Sequence, residues 1–351
     1  MVKVNRLDIH YVSILYGSTT KDIRTFKSYI QEDYPWMTGE VPNLFRRFLL
    51  TPVCYSLKQL DQMLIEQQVR RNSGELEWLM FDSGGFQTLR HQSYTMDRLI
   101  KDNLYLYKRY AFADCYVMPD LPAPPSDSIF VMEDKIEKSI NATKTLFDTL
   151  PSNLKSKSCP VFHARATHHI DRQYDAYKHI LDESNMACYA IGGTNKRFSS
   201  DHIRNVRYLN NKFPKLKIHL LGVAVPGMIW SMKACGVDTY DALTPTAIAA
   251  RGMISLPYRR ANYSVRLENN ISDKELKSIL EKTNHRCPFC DDFNKLKSNT
   301  NYRRFHNAII YDELNYFYNN MSALDYAKLV PKCYKEFRNS FETEYKQKTL
   351  F

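Results

Sequence analysis

No apolar run in this 351-residue chain reaches the roughly 18 residues that a membrane span needs. The opening residues, Met1-Val2-Lys3-Val4-Asn5-Arg6, lack the apolar core of a secretory signal. A cytoplasmic protein is therefore expected, with no glycosylation meaning in triplets such as Asn141-Ala142-Thr143. Internal repeats and low-complexity linkers are absent. Tryptophan is scarce, with three in the chain, which disfavours a sugar hydrolase that grips its substrate with several indoles. Nor do the eight cysteines look like a disulfide framework. Cys54, Cys115, Cys159, Cys188 and Cys235 stand singly in apolar segments, as small buried hydrophobes do. Acidic residues number 38 against 49 lysines and arginines, a net charge of +11. That imbalance favours a polyanionic partner, nucleic acid first, over a merely solubilising charge. No membrane partner is expected.

What is present is an alternation of short apolar runs and longer helical patterns. Strands are expected at Ile9–Leu15, Phe48–Tyr55, Trp78–Phe81, Cys115–Met118, Pro160–His163, Ala187–Ile191, Ile218–Val223 and Thr239–Leu243. Helices are expected between them, for example at Met96–Tyr110, Ile129–Leu150, His168–Asp182 and Asp201–Phe213. Such alternation predicts an α/β fold with a parallel sheet, and eight units would close a (β/α)8 TIM barrel over residues 1–255, with a doubly wound open sheet as the alternative. Residues 256–351 change character: a helix at Asp273–Lys282, a Cys/His cluster, then a Tyr-rich helical tail from about Asp312.

Polar residues fall at the ends of these strands. Asp82, Asp120, His163, Gly192-Gly193, Gly222 and Asp241 lie at or just past C-terminal strand ends, the face on which barrel enzymes build their sites. A lone aspartate there is most simply a helix cap or turn residue; several together point to a site. In Phe81-Asp82-Ser83-Gly84-Gly85-Phe86-Gln87, an apolar strand feeds a carboxylate, and paired glycines let the backbone turn and approach a ligand. Gly236-Val237-Asp238-Thr239-Tyr240-Asp241 supplies a second acidic strand end. Two carboxylates suit chemistry at a sugar's anomeric carbon, one attacking C1′ and the other moving protons. Phe86 could stack on a planar base, or simply pack in the core.

Metal chemistry is signalled by His285-Arg286-Cys287-Pro288-Phe289-Cys290, with His306 further on. Thiolates two residues apart grip one tetrahedral Zn²⁺, and His285 and His306 would complete a Cys₂His₂ shell with no open position, hence a structural zinc. A zinc deaminase would need an H-x-E partner; none precedes these cysteines, and His163 is followed by Ala164-Arg165.

Together these residues resemble the tRNA-guanine transglycosylases and their DNA-acting relatives. Asp82-Ser83-Gly84-Gly85-Phe86-Gln87 is similar to that family's DSGGFQ signature, and Leu221-Gly222-Val223 with Pro226, then Gly236-Val237-Asp238-Thr239-Tyr240-Asp241 and Pro245-Thr246, to its LMGVGTP…GVDMFDCVLPTR segment. The resemblance implies a TIM barrel with a C-terminal zinc-binding subdomain (1–255 and 256–351). It implies Asp82 as general acid/base, Asp241 as covalent nucleophile and Asp120 as the base-recognising carboxylate. Phe86, Gln87, His163, Gly193 and Leu221 would complete the base pocket. The cluster His285, Cys287, Cys290 and His306 falls in register with the family's zinc ligands, His285 replacing a cysteine.

Departures bear on the partner. His163 stands where tRNA enzymes carry a base-reading glutamine, Ala247 to Arg251 replace a segment whose arginines reach tRNA, and Thr51-Pro52-Val53-Cys54-Tyr55 replaces an N-terminal motif. These look like the branch, found in phages and bacterial DNA-modification clusters, that exchanges guanine in DNA for a 7-deazaguanine. DNA is thus the expected polymer, with tRNA the alternative, 7-cyano-7-deazaguanine the incoming base, and a second copy of the chain a further candidate partner. Arg259, Arg260, Arg286, Lys295, Lys297, Arg303 and Arg304 are candidates for phosphate contact.

Overall fold

A computed structural model describes residues 13–17, 47–74, 76–91, 93–124, 126–178, 186, 188–192, 200–214, 217–222, 226–256, 262–264, 272–282, 285, 287–290 and 292–348. Nine strands form one sheet: β1 (Ser13–Gly17), β2 (Arg47–Leu50), β3 (Trp78–Phe81), β4 (Cys115–Val117), β5 (Ser158–Cys159), β6 (Val161–Phe162), β7 (Cys188–Ile191), β8 (Lys217–Leu220) and β9 (Thr239–Ala242). Their order is β5-β4-β3-β2-β1-β9-β8-β7-β6, and every pairing is parallel. Pro160, which has no N–H to give, separates β5 from β6. The stretch 158–162 pairs with β4 through its first half and with β7 through its second, and Pro160 still accepts a bond from Ala190 N at 2.9 Å.

Helices cross between these strands, as parallel connections require. Ser56, Thr95 and Ser128 hold the first turns of helices Leu57–Asn72, Met96–Arg109 and Ile129–Thr149 through side-chain oxygens. The strands are buried on both faces. Phe81, Tyr116, Phe162, Ile218 and Tyr240 belong to the main core that includes helix residues such as Tyr107, Ile136 and Ile170, while Met80, Cys115, Val117, Cys159, Val161, Cys188 and Ala190 form a separate cluster on the other face. Such two-sided burial is why parallel strands read as unbroken apolar runs, each large side chain contributing about 1.5–3 kcal/mol.

The expected strand Phe48–Tyr55 is shorter. It ends at Leu50, and Pro52–Cys54 is a 3-10 turn, because Pro52 cannot continue the ladder. β8 likewise stops at Leu220. Beyond β9 come helix Thr244–Ala250 and an antiparallel ribbon of β10 (Met253–Ser255) with β11 (Asn262–Ser264). Helices Asp273–Lys282, Thr300–Asn319, Ala323–Leu329 and Pro331–Lys348 follow. The tail packs on the sheet-flanking helices. Trp230 stacks on Tyr326 with ring centroids 4.7 Å apart and donates from Nε1 to Met321 O, while Tyr326 Oη donates to Gly227 O at 2.7 Å. Among the described residues no helix is long and apolar enough to cross a membrane.

Candidate active site

Asp82 follows β3 directly, its N–H bonded to Leu50 O at 2.8 Å. Gly84 has φ +81°, and a Cβ there would lie 2.3 Å from Val53 Cγ2. A Cβ on Gly85 would lie 2.4 Å from Asp120 O. The two glycines thus serve a left-handed turn and a close approach, which lets the Asp82 loop rest against the loop after β4. Ser83, fully buried, donates to Asp120 Oδ1 at 3.1 Å and is held by Asn103 Nδ2 on its carbonyl. Thr51 Oγ1 donates to Asp82 Oδ2 at 3.0 Å.

Asp120 is 5% exposed, and its second oxygen lies 2.8 Å from His163 Nε2. His163 is itself buried, its backbone clamped on both sides by the Gln173 amide. Its Nδ1 has no hydrogen-bond partner, and a Cβ on Gly192 would fall 2.5 Å from the imidazole Cε1. Gly193 lies outside the described residues. Phe86 opens the short helix Phe86–Arg90 with its ring 43% exposed, so it is not a core residue. Gln87 donates to Cys54 Sγ at 3.1 Å. Leu221, half-buried, packs over the Met80 and Cys115 cluster.

Asp241 lies in β9, opposite Leu15 of β1. Its Oδ1 accepts from Gly222 N at 2.6 Å. Asp238, three residues earlier, is occupied at the other end of the strand, accepting from Ile218 N at 2.8 Å. Asp114 is similarly structural, taking both guanidinium nitrogens of Arg71 and the amide of Leu79. Acids at strand starts brace the sheet, whereas Asp82, Asp120 and Asp241 gather at the strand ends. Burial, and then the charge of Asp120, pushes Asp82 up to about 7. Asp241 adds to the rise, while hydrogen bonds from Thr51 and Gly84 oppose it. A carboxyl poised there can give and take a proton near neutrality, next to carboxylates that accept hydrogen bonds.

The second cluster brings together His285, Cys287, Cys290 and His306, one ligand atom of each within 4.8 Å of the others. Cys287 Sγ is 3.3 Å from Cys290 Sγ, and His306 Nδ1 is 3.1 Å from the latter. The outer nitrogens are anchored, His306 Nε2 at 2.9 Å from Ser255 O and His285 Nδ1 at 2.8 Å from Glu313. His285 Nε2 is left buried with no hydrogen-bond partner. An orphaned imidazole nitrogen beside two thiols, with both rings oriented by outer hydrogen bonds, is the donor set a metal requires. The residues fit one metal ion.

The readings of Cys54 and Arg303 need correction: Cys54 is exposed, whereas Cys115, Cys159, Cys188 and Cys235 are buried as expected of small hydrophobes. Cys115, Cys159 and Cys188, separate in sequence, meet in space: Cys188 Sγ is 3.0 Å from Cys159 Sγ and 3.4 Å from Cys115 Sγ. Burial pushes the Cys115 and Cys159 thiols well up, while their hydrogen bonds to Cys188 pull that thiol down, and all three fill the second apolar face of the sheet. Arg303 is no phosphate ligand. It is fully buried and donates to the carbonyls of Ala249, Leu296 and Lys297 and to Thr300 Oγ1. Lys295 and Lys297 pair with Asp292 and Asp273, while Arg259, Arg260 and Arg286 lie outside the described residues. Thr51, Asn103, Gln173 and His219 have no signal in the sequence, because each meets its partner only through the fold, whereas Ser83 lies inside the Asp82–Gln87 motif.

No curated protein matches the chain significantly. A family model described as queuine tRNA-ribosyltransferase matches residues 72–318, well over half of the chain, from just before β3 to the end of the helix that carries His306. That span takes in Asp82, Asp120, Asp241 and the whole Cys/His cluster, and the chain belongs to the queuine tRNA-ribosyltransferase family.

Proposed function

We propose that this chain exchanges guanine in DNA for a 7-deazaguanine, 7-cyano-7-deazaguanine in the first instance, through a glycosyl ester on Asp241. Family membership supports guanine transglycosylation as the reaction class. The observation that carries the assignment of roles is the pairing of Asp82, raised to about 7 by burial and its acidic neighbours, with Asp241, whose Oδ1 is fixed by Gly222 N. In the first half, Asp241 attacks C1′ as the bond from C1′ to guanine N9 breaks, and Asp82 gives its proton to the departing base. In the second, N9 of the incoming base loses its proton to Asp82 and attacks C1′. The ester bond breaks, its electron pair returns to Asp241, and two inversions leave the configuration retained.

Asp120 would read the amino-pyrimidine edge, with His163, Gly193 and Gln87 around it, and Phe86 and Leu221 would stack on the two faces. The exposed Phe86 ring supports that role. A flipped or single-stranded nucleotide gives the access that this chemistry needs. The strand order, with its two edges meeting through Pro160, supports a closed eight-stranded barrel over residues 1–255, carrying a zinc-binding subdomain at 256–351. The thiol and imidazole donors favour Zn²⁺, four protein ligands making it structural.

The second reading is exchange in tRNA, and the matched family's own description favours it. His163 and Ala247, departures from the tRNA enzymes, favour DNA. Labelled guanine offered with duplex DNA, single-stranded DNA or tRNA separates the two. Label entering tRNA and never DNA overturns the DNA assignment, and loss of an SDS-stable adduct in Asp241→Asn is the expected result for the nucleophile. Nucleoside mass spectrometry of DNA from expressing cells then identifies the incorporated base.

A further inference from the structure

His219 is a buried imidazole that none of these roles uses. It lies in β8 between Ile218 and Leu220, which face the main apolar core. Its side chain therefore turns to the opposite face of the sheet, alongside Thr239 and Asp241 of β9, which flank the core-facing Tyr240. It is 0% exposed. Nδ1 lies 2.8 Å from Thr239 Oγ1. Nε2, buried without a hydrogen-bond partner, has Asp241 Oδ1 3.4 Å away, within ion-pair distance. The same Oδ1 takes the Gly222 amide at 2.6 Å.

This geometry favours one tautomer. A lone pair on Nε2 would face a carboxylate oxygen, so Nε2 carries the proton and Nδ1 accepts from the Thr239 hydroxyl. The Gly222 amide is bonded to Oδ1 and the imidazole N–H lies near the same oxygen, so Oδ2 is the oxygen without either. We infer that His219 is a positioning residue for the transfer step: with Gly222 N–H it makes Oδ2 the oxygen that bonds C1′, and it makes Asp241 the better leaving group. The inference rests on Asp241 as nucleophile. Donors on Oδ1 stabilise the free carboxylate, with its full negative charge, more than the carbonyl of the ester. Removing one therefore shifts the balance toward the ester and slows its breakdown, when the electron pair of the C1′–Oδ2 bond must return to the carboxylate.

The test uses the full chain with guanine-containing nucleic acid, reading the equilibrium fraction of SDS-stable adduct and the rate of labelled-guanine exchange. His219→Phe should raise the adduct-to-free ratio and lower exchange roughly tenfold, the scale of a hydrogen bond to a charged group. Thr239→Val, which frees the tautomer, should move both readings the same way by less. His219→Gln, whose amide N–H reaches the Nε2 position, should restore both toward the unchanged chain. A merely structural role would lower adduct and exchange in parallel, and that result, or no change in either, overturns the inference. An adduct that survives Asp241→Asn removes the nucleophile assignment instead, and the inference with it.

Discussion

Asp82→Asn should make the protein more stable at pH 8 while abolishing exchange. A carboxyl raised from 3.8 to about 7 in the folded chain binds more protons folded than unfolded between those values, so the native protein loses stability as pH rises across that window. Each pH unit in it corresponds to about 1.4 kcal/mol, which sets a ceiling of about 4 kcal/mol for the whole interval. Asp82 is only half-buried, and solvent screening reduces that to about 2 kcal/mol. Asparagine keeps the shape and can still accept from Thr51 Oγ1, but it carries no charge at any pH. The unchanged chain and Asp82→Asn should therefore melt together near pH 4 and separate above it, reaching a gap of about 3 °C by pH 8 for a chain of this length. Differential scanning calorimetry at pH 4, 6 and 8 measures the gap directly. A constant difference across that range, or a variant that becomes relatively less stable as pH rises, would refute the claim that burial and acidic neighbours raise Asp82.

Gly85→Ala should destabilise the fold by about 1–3 kcal/mol and cut exchange more than tenfold, because the new Cβ meets the Asp120 carbonyl; urea melts and labelled-guanine assays check the pair. Arg303→Met should cost about 3–5 kcal/mol by stranding the carbonyls of Ala249, Leu296 and Lys297. Its nucleic-acid affinity, measured at permissive temperature by fluorescence anisotropy, should stay unchanged, whereas a phosphate-contacting arginine would lose affinity and salt dependence. Cys287→Ser should lower bound zinc from about one ion per chain toward none, read by plasma mass spectrometry, and should lower the melting temperature together with it.

The parts of the site legible in sequence are those whose residue type is forced by backbone geometry or by chemistry. Gly84 must adopt a left-handed turn and Gly85 must admit Asp120, so the doublet marks the strand end without any knowledge of the fold. Cys287 and Cys290 are three residues apart and need only a turn. β3 is legible at its full extent because Trp78–Phe81 is an unbroken apolar run. Short β5 and β6 are harder, since Pro160 divides one stretch between two partners. Thr51 and His219 could not be found in this way. A threonine at a strand end or a histidine among apolar residues is common, and each gains meaning only from the carboxylate that the sheet sets beside it. The meeting of Cys115, Cys159 and Cys188 is hidden for the same reason: they are buried as the sequence suggests, but they belong to three strands, and spacing carries no trace of their contact.

The Cys/His cluster and Asp241 are mechanically joined, so a metal held in the cluster would bear on the reaction proposed for Asp241. His306 lies on the helix Thr300–Asn319, whose next residue, Asn307, accepts from Ser255 N and donates to Pro245 O and Met253 O. Two turns further on, Asn315 takes the hydroxyl of Tyr240 at 3.1 Å, next to Asp241. That helix therefore grips the chain on both sides of Asp241, at residues 240 and 245. His285, meanwhile, is tied to the same helix through Glu313. A metal held by His285, the two cysteines and His306 would fix the helix that holds the strand of Asp241 in register. The sheet delivers Asp241 to the site, and the C-terminal helix braces the chain on either side of it.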